Sequence, residues 1–118
     1  MSGSRSFKDL TVWQRSIELA NEIYIMTRAF PQAETYALVS QLRRAAVSIP
    51  SNIAEGSKRG THKDFVQFLR IAIGSAAEVE TQLIIAKNVY PTVDSSNAFE
   101  LLDEVQKMLA ALISKLKT

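Results

Sequence analysis

The sequence predicts an all-α fold, an up-down-up-down antiparallel four-helix bundle in a single domain. Apolar residues recur at steps of three and four along most of the 118 residues, and no segment keeps the alternation that is typical of strands. Glycine and proline concentrate around residues 31, 56–60 and 91, so they divide the chain into four segments. Because these corners are short, consecutive helices are expected to be antiparallel neighbours.

The first helix is expected over residues 11–29. Thr11 and Gln14 form a predicted capping box, in which Thr11 accepts from an early backbone N–H and Gln14 reaches back. The apolar residues fall on two adjacent stripes, which predicts a wide core-facing surface. One stripe comprises Trp13, Ile17, Ala20, Tyr24 and Thr27, and the other Val12, Leu19, Ile23, Met26 and Phe30.

The second helix contains a proline, Pro50, near its middle. A helix that ended there would have no reason to keep its apolar phase afterwards, yet the phase continues. We therefore predict a kinked helix that runs on, although an interior proline costs about 3 kcal/mol. Gly56 is expected to take the left-handed conformation just past the end of this helix. The continuous apolar face comprises Leu38, Leu42, Ala45, Ile49 and Ile53.

The third helix has the most regular pattern, a heptad seam that indicates packing at a shallow crossing angle. Thr61 is its predicted cap, with Asp64 three residues later. Residues 74–77 are small, so a neighbouring helix is expected to approach closely there. The seam comprises Phe65, Leu69, Ala72, Ala76, Val79, Leu83, Ala86 and Tyr90. The fourth helix, residues 96–117, carries Phe99, Leu102, Val105, Leu109, Leu112 and Leu116.

The sequence offers little catalytic chemistry. The absence of cysteine excludes disulfides, thiol catalysis and cysteine metal sites, and it fits a reducing cytoplasm. His62 is the only histidine, and its position in a corner favours a solvated turn residue. The sequence has no Glu-x-x-His pair for a bundle metal site. In "GSKRGT", Lys58 precedes the second glycine, unlike a phosphate-binding loop. We predict no enzymatic activity and no cofactor.

The N-terminal residues 1–8 are predicted to form a flexible segment before a bundle domain of residues 9–118. This segment is polar and lacks the apolar stretch of a secretion signal. No apolar run approaches the roughly 20 residues that span a bilayer. We therefore expect a soluble, cytoplasmic protein without membrane contact.

Charge is distributed unevenly along the chain. Residues 43–70 carry a net charge of +4, whereas residues 71–106 carry −5. In the predicted topology, one end of the bundle collects Arg5, Lys8, Lys58, Arg59, Lys63, Lys115 and Lys117, and the opposite end holds Asp94, Glu100, Asp103 and Glu104. A clustered basic surface is typical of nucleic-acid binders. Alternatively, lysines near helix C-termini complement the helix dipole, which explains Lys115 and Lys117 but not Lys63 at a helix start.

A helical wheel separates the two adjacent arginines of the second helix. With Leu42 pointing to the core, Arg43 lies on the flank and Arg44 nearly opposite the core. Ser48, Ser51 and Glu55 fall near Arg44. These polar residues are expected to form an outer stripe, which is either plain solvent surface or a contact with another subunit.

Three stretches of the chain carry a resemblance to a known family. They are "DLTVWQRSIELANEIY", "FPQAETYALVSQLRRAAVSIPSNIAEGSKR" and "FVQFLRIAIGSAAEVETQL". Together they resemble the small bacterial four-helix-bundle family known from intervening sequences of 23S ribosomal RNA genes. The resemblance covers residues 9–116, although the fourth helix matches only in general character. Ala37 stands where relatives often have glycine.

The resemblance implies partners rather than a reaction. Proteins similar to this one form closed homo-oligomeric rings, typically of five bundles. A related branch serves as the accessory protein of diversity-generating retroelements, where it associates with the reverse transcriptase and its template RNA. The family name records where the genes were found and does not make the protein a ribosomal component.

Two hypotheses follow for the function. The first is a non-catalytic homo-oligomeric bundle, a homopentamer by the resemblance, that binds nucleic acid and favours structured RNA. Its phosphate contacts are expected from Arg43, Arg44, Lys58, Arg59, Lys63 and Arg70. The second is a protein-interaction scaffold, or an accessory subunit of a reverse transcriptase. A surface directed at the phosphate backbone carries no base readout, so no target sequence is predicted.

Overall fold

The computed structural model describes residues 6–117, and the regular secondary structure in that range is helical. The four α-helices are α1 (Thr11–Thr27), α2 (Leu38–Ser57), α3 (His62–Val89) and α4 (Ser96–Lys117). A short 3₁₀ turn, Phe7–Asp9, precedes α1, and a second one, Gln32–Glu34, precedes α2. No strand occurs among the described residues, so the predicted all-α class is confirmed.

The helices pack as an antiparallel four-helix bundle. Each helix contacts its neighbour in the chain, and α1 also contacts α4, which closes the bundle. The contact between α2 and α3 is the most extensive. The described residues extend over 50 × 24 × 21 Å. The predicted up-down-up-down arrangement is therefore confirmed. None of the described helices is both long enough and apolar enough to span a membrane.

The core is aliphatic and follows the predicted faces of α2 and α3. Leu42, Ile49 and Ile53 of α2 are fully buried. The α3 seam is buried from Leu69 to Ala86, while its two terminal aromatic residues are half-buried. Of the two stripes predicted for the first helix, one is buried throughout: Val12, Leu19, Ile23, Met26 and Phe30. The other stripe lies partly on the surface, with Tyr24 42% exposed.

Pro50 lies inside α2, which continues through it to Ser57, so the predicted continuation is confirmed. Pro50 itself is buried. Burial of Pro50 and the unbroken core face around it offset the loss of one backbone hydrogen bond.

The prediction for Gly56 is wrong, because this residue lies within α2 and not beyond it. The left-handed residue of the corner is Gly60, with φ 94°. Gly56 serves a different purpose: a Cβ atom there would lie 2.6 Å from the Cβ of Phe68 in α3. Glycine at this position lets the two helices approach each other closely.

Of the small residues at 74–77, only the middle pair meets a neighbouring helix. Ser75 and Ala76 are buried, and the hydroxyl oxygen of Ser75 lies 2.7 Å from that of Ser48 in α2. Gly74 is exposed, with no atom within 4 Å of its Cβ position. The expected close approach therefore occurs at Ser75 and not at Gly74. Ser48, expected on the outer stripe, is half-buried by the same contact.

Helix capping was predicted correctly at α3 and incorrectly at α1. The Thr61 side chain accepts from the backbone N–H of Asp64 at 3.1 Å. Helix α1 has no side-chain cap, and its N-cap residue is Leu10. The Gln14 side chain instead donates to the carbonyl oxygen of Lys8 at 2.8 Å.

A capping box does form just upstream, between Ser6 and Asp9 of the first 3₁₀ turn. Residues 6–8 of the segment predicted to be flexible thus belong to this capped turn. Its remaining residues, including Arg5, lie outside the described part of the chain, and the domain boundary at residue 8 stays a prediction.

Candidate nucleic-acid interface

The antiparallel bundle brings basic side chains from several elements to one end. We call this surface the basic end, comprising Lys8, Lys58, Arg59, Lys63, Lys115 and Lys117, all of which are exposed. Lys8 comes from the first 3₁₀ turn, Lys58 and Arg59 from the corner after α2, Lys63 from the first turn of α3, and the last two from α4. Four separate stretches of chain therefore contribute positive charge to one surface.

A depression of about 380 Å³ opens at the basic end between the start of α3 and the end of α4. His62, Lys63, Gln67 and Lys117 supply its polar lining, and Val66 and Leu116 its apolar lining. Such a surface can accept an anionic group, because two lysines contribute to its lining.

Aromatic rings orient the cations of the corner between α2 and α3. The Lys58 ammonium lies 6.0 Å from the ring centroid of Phe7, and that ring packs edge-to-face on Trp13. The guanidinium of Arg59 lies 4.8 Å from the ring centroid of Phe68. Cation–π contacts of this kind contribute about 0.5–1 kcal/mol at exposed sites.

Arg59 also has an acidic partner. One of its terminal nitrogens lies 2.9 Å from a carboxylate oxygen of Glu55, and both side chains are about half exposed. An exposed pair of this kind is worth about 0–1 kcal/mol. A phosphate can therefore displace Glu55 at small cost, but Lys58 and Lys63 present their charge more directly.

Two of the predicted arginines lie far from the basic end. Arg43 stands fifteen positions before Lys58 in α2, which places it roughly 22 Å away along the helix axis. Its Nε donates to the hydroxyl oxygen of Thr27 at 3.0 Å, and Nη2 donates to the carbonyl of Tyr24. The guanidinium lies 4.5 Å from the Tyr24 ring centroid. Arg43 is thus fixed in the contact between α1 and α2.

Arg44 is exposed and faces a different side of the bundle, as the helical wheel predicted. It lines a polar depression of about 490 Å³ between α2 and α3, together with Glu78 and Gln82. Arg70 is exposed on α3, roughly 12 Å along the axis from His62. The six predicted residues are therefore divided among the basic end, the α1–α2 contact, the α2–α3 depression and the side of α3.

The opposite end of the bundle is less uniformly acidic than expected. Asp94 accepts hydrogen bonds from the backbone N–H and the hydroxyl of Ser96, and these bonds hold the pKa of Asp94 below its usual value. Glu104, expected at this end, pairs with Arg15 in the first turns of α1, with Nε and Oε1 2.8 Å apart. Hydrogen bonding to Glu18, with the nearby charge of Glu104, raises the pKa of Arg15.

Two further carboxylates also have partners. Asp103, expected at the acidic end, pairs with Lys107 one turn along α4 at 2.9 Å. The Tyr90 hydroxyl donates to Glu34, and this bond raises the pKa of Tyr90. Asp103 and Glu104 are paired with cations and therefore contribute less net negative charge to this end, whereas hydrogen bonds from neutral donors, as at Asp94, remove no charge.

The pairing of cations with aromatic rings is the feature that sequence reasoning missed. Phe7 and Lys58 are separated by 51 positions, so no local pattern links them. The one available signal was Phe7 itself, an aromatic residue in a polar segment. Tyr24 was assigned to the core, and its exposure shows that α1 presents aromatic surface beside α2.

Comparison with known proteins identifies a family that the sequence matches and a solved structure with a similar fold. A profile of the family described as 23S rRNA-intervening sequence protein matches residues 8–111. A crystal structure from Bacteroides thetaiotaomicron VPI-5482, described as a protein with unknown function from the S23 ribosomal protein family, is similar with a TM-score of 0.78. The identity is 24%, over 87% of this chain and 98% of that one, so the likeness concerns the fold alone. No curated protein matches the chain. Neither description names an enzymatic activity.

Proposed function

The chain belongs to the 23S rRNA-intervening sequence protein family, and from this premise we propose that it is a non-catalytic, homo-oligomeric bundle that binds nucleic acid. The expected ligand is structured RNA, held through phosphate contacts at the basic end. The observation that carries the proposal is the exposure of lysines from four stretches of chain on one surface. Each lysine that engages a phosphate releases condensed counterions, which favours binding at low ionic strength.

The predicted residues take different parts in this proposal. Lys58 and Lys63 are the main phosphate contacts, and Arg59 contributes after it exchanges Glu55 for a phosphate. Arg70 extends the surface along α3. Arg43 and Arg44 lie outside the basic end, and a ligand that contacts only this end does not reach them.

Self-association is the second part of the proposal. Helix α3 exposes large aliphatic side chains on its outer surfaces, namely Ile71, Ile73, Ile84, Ile85 and Val89. Ile85 and Val89 are one turn apart and therefore adjoin on the helix surface, and adjoining exposed apolar residues mark protein–protein contacts. A ring of five bundles would cover this surface and place five basic ends in one assembly. Several subunits could then engage one polymer at high effective concentration.

The same aliphatic surface favours a second candidate function, a scaffold for another protein. The partner in this case would be a reverse transcriptase of the kind encoded by diversity-generating retroelements. In that case the basic end would contact the template RNA carried by the partner. A reverse transcriptase gene and a variable repeat beside the gene would favour this candidate.

Ultraviolet cross-linking in the host cell tests nucleic-acid binding. The wild-type protein and a variant with Lys58→Ala and Lys63→Ala are purified under denaturing conditions, and the attached RNA is sequenced. We expect RNA with the wild type and a clear loss of yield with the variant. Recovery from the wild type no higher than from cells that lack the protein would contradict the proposal.

A further inference from the structure

A groove runs along the outside of the bundle between α1 and α2. It has a volume of about 370 Å³, and its lining includes Phe7, Trp13, Ile17, Tyr24, Val47 and Pro50. Tyr24 and Val47 are each 42% exposed, so the groove is open to solvent. Its described lining contains no carboxylate. We call it the α1–α2 groove; an open surface with three aromatic rings indicates a contact site.

Cations lie at both ends of the α1–α2 groove. At one end the Lys58 ammonium is 6.0 Å from the Phe7 ring, and at the other the Arg43 guanidinium is 4.5 Å from the Tyr24 ring. The Arg43 bonds to protein acceptors use Nε and Nη2, which leaves Nη1 for a ligand. Aromatic rings between two cations suit a ligand whose flat groups are joined by anionic links.

We infer that the α1–α2 groove binds an unpaired segment of nucleic acid, an inference that rests on the function proposed above. The bases stack on the rings of Phe7, Trp13 and Tyr24. The phosphates contact Lys58 at one end and Arg43 at the other. Single-stranded binding proteins combine the same two elements, a positive track and aromatic rings. Duplex bases are stacked on each other and cannot reach the rings, so the groove selects unpaired strands.

The dimensions agree with this ligand. About 22 Å along the axis of α2 separates Arg43 from Lys58, which is more than a single nucleotide spans. Phosphates several nucleotides apart on one strand can therefore contact the two cations while the bases between them contact the rings. An apolar helix of a partner protein is a less suitable occupant, because it offers no negative charge to the cations at the two ends.

Trp13 provides the readout, because it is the only tryptophan in the chain and its side chain lines the groove. The full-length protein is titrated at low ionic strength with oligouridine of about ten nucleotides and, separately, with an RNA duplex of the same length. We expect the single strand to quench Trp13 fluorescence to saturation, and the duplex to leave it nearly unchanged. Fluorescence anisotropy of labelled strands measures total binding in parallel.

Two variants with the same charge change test whether single-strand binding depends on the α1–α2 groove. Val47→Glu places a carboxylate in the groove, whereas Ala110→Glu makes the same charge change at an exposed position of α4. The carboxylate repels phosphates and so keeps the bases from the rings, and the loss of base stacking lowers affinity by about tenfold or more. We expect this loss for Val47→Glu and a change below about threefold for Ala110→Glu. Circular dichroism checks that both variants keep the bundle.

Three results would overturn the inference while leaving the proposed function in place. They are single-strand binding without a change in Trp13 fluorescence, equal affinities for strand and duplex, or equal effects of the two glutamate variants. In each case binding at the basic end alone accounts for the data. If neither ligand binds at low ionic strength, the inference and the proposed function both fail.

Discussion

Gly56 of α2 lies so close to Phe68 of α3 that a Cβ atom on the glycine would be 2.6 Å from the Cβ of the phenylalanine. Because Phe68 Cβ is attached to the backbone, an added methyl group would push the two helices apart. Overpacking of this kind costs about 1–3 kcal/mol, and the gain of alanine over glycine in a helix offsets roughly 1 kcal/mol of that cost. We expect Gly56→Ala to lower the free energy of unfolding by up to about 2 kcal/mol in urea titrations.

Gly74 is the matched control for this first prediction. It also lies inside a helix, but no atom is within 4 Å of its Cβ position. Gly74→Ala should therefore raise the free energy of unfolding of the bundle by about 0.5–1 kcal/mol. Both variants are compared at one protein concentration, since self-association would add to stability. A gain in stability for Gly56→Ala equal to that for Gly74→Ala would show that the α2–α3 approach tolerates a methyl group.

The second prediction separates the adjacent arginines of α2. Arg43 makes two hydrogen bonds and a ring contact with α1, whereas Arg44 is exposed. Net hydrogen-bond contributions are about 0.5–1.5 kcal/mol each, and an exposed substitution changes stability by within about 0.5 kcal/mol. We expect Arg43→Ala to lower the free energy of unfolding by about 1–2 kcal/mol and Arg44→Ala to leave it nearly unchanged. Equal losses in the two variants would refute this role for Arg43.

The third prediction concerns pH and the carboxylate of Asp94. Hydrogen bonds from the backbone N–H and hydroxyl of Ser96 lower its pKa in the folded state below the ordinary value of 3.8. A lowered folded pKa means that the stabilisation is present above the unfolded pKa and is lost as pH falls through the folded one.

The comparison is between wild type and Asp94→Asn, which keeps an acceptor but not the charge. Thermal unfolding from about pH 6 to about pH 2 should show the wild type more stable at the upper end. The difference should shrink towards zero at the lower end. A difference that stays constant over this range would contradict the assignment.

The fourth prediction concerns assembly. Sedimentation at micromolar concentration should give a mass well above the 13.1 kDa of one chain, and five times that mass for the proposed ring. Ile85→Arg, on the outer surface of α3, should reduce the assembly to single chains. Ile25→Arg in α1 is the control, because Ile25 is 55% exposed and Ile85 46%. A wild-type protein that sediments as one chain would rule out self-association.

The helices and their core faces could be predicted because their signals are local and periodic. The α3 seam and the continuation of α2 through Pro50 follow from spacing along the chain alone. Capping signals are local too, but two adjacent stretches of sequence both had the spacing of a capping box. Ser6 and Asp9 have the same spacing as Thr11 and Gln14, and the first pair forms the capping box.

The candidate site was predicted less well, since it depends on which helices face each other. The helical wheel predicted which side of α2 carries Arg43, but it could not predict the residues of α1 that Arg43 contacts. From the sequence, Gly56 was interpreted as a helix end. Glycine is required there because of the close approach of Phe68, which is twelve residues later and on another helix, so no local pattern showed it. The charges were visible in the sequence, whereas the rings that orient them were identified only from the packing.

The salt dependence of RNA binding tests the central claim most directly. For the wild type, the logarithm of the association constant should fall linearly with the logarithm of salt concentration, by about 0.7 per phosphate contact on single strands and about 0.9 on duplex. Joint replacement of Lys58 and Lys63 by alanine should reduce this slope by about two contacts per engaged subunit and weaken binding about equally across sequences. Joint replacement of Lys87 and Lys107, an equal charge change outside the basic end, should leave the slope unchanged. No salt-sensitive binding of the wild type to RNA or DNA at low ionic strength, or equal slopes for the two double variants, would contradict the account.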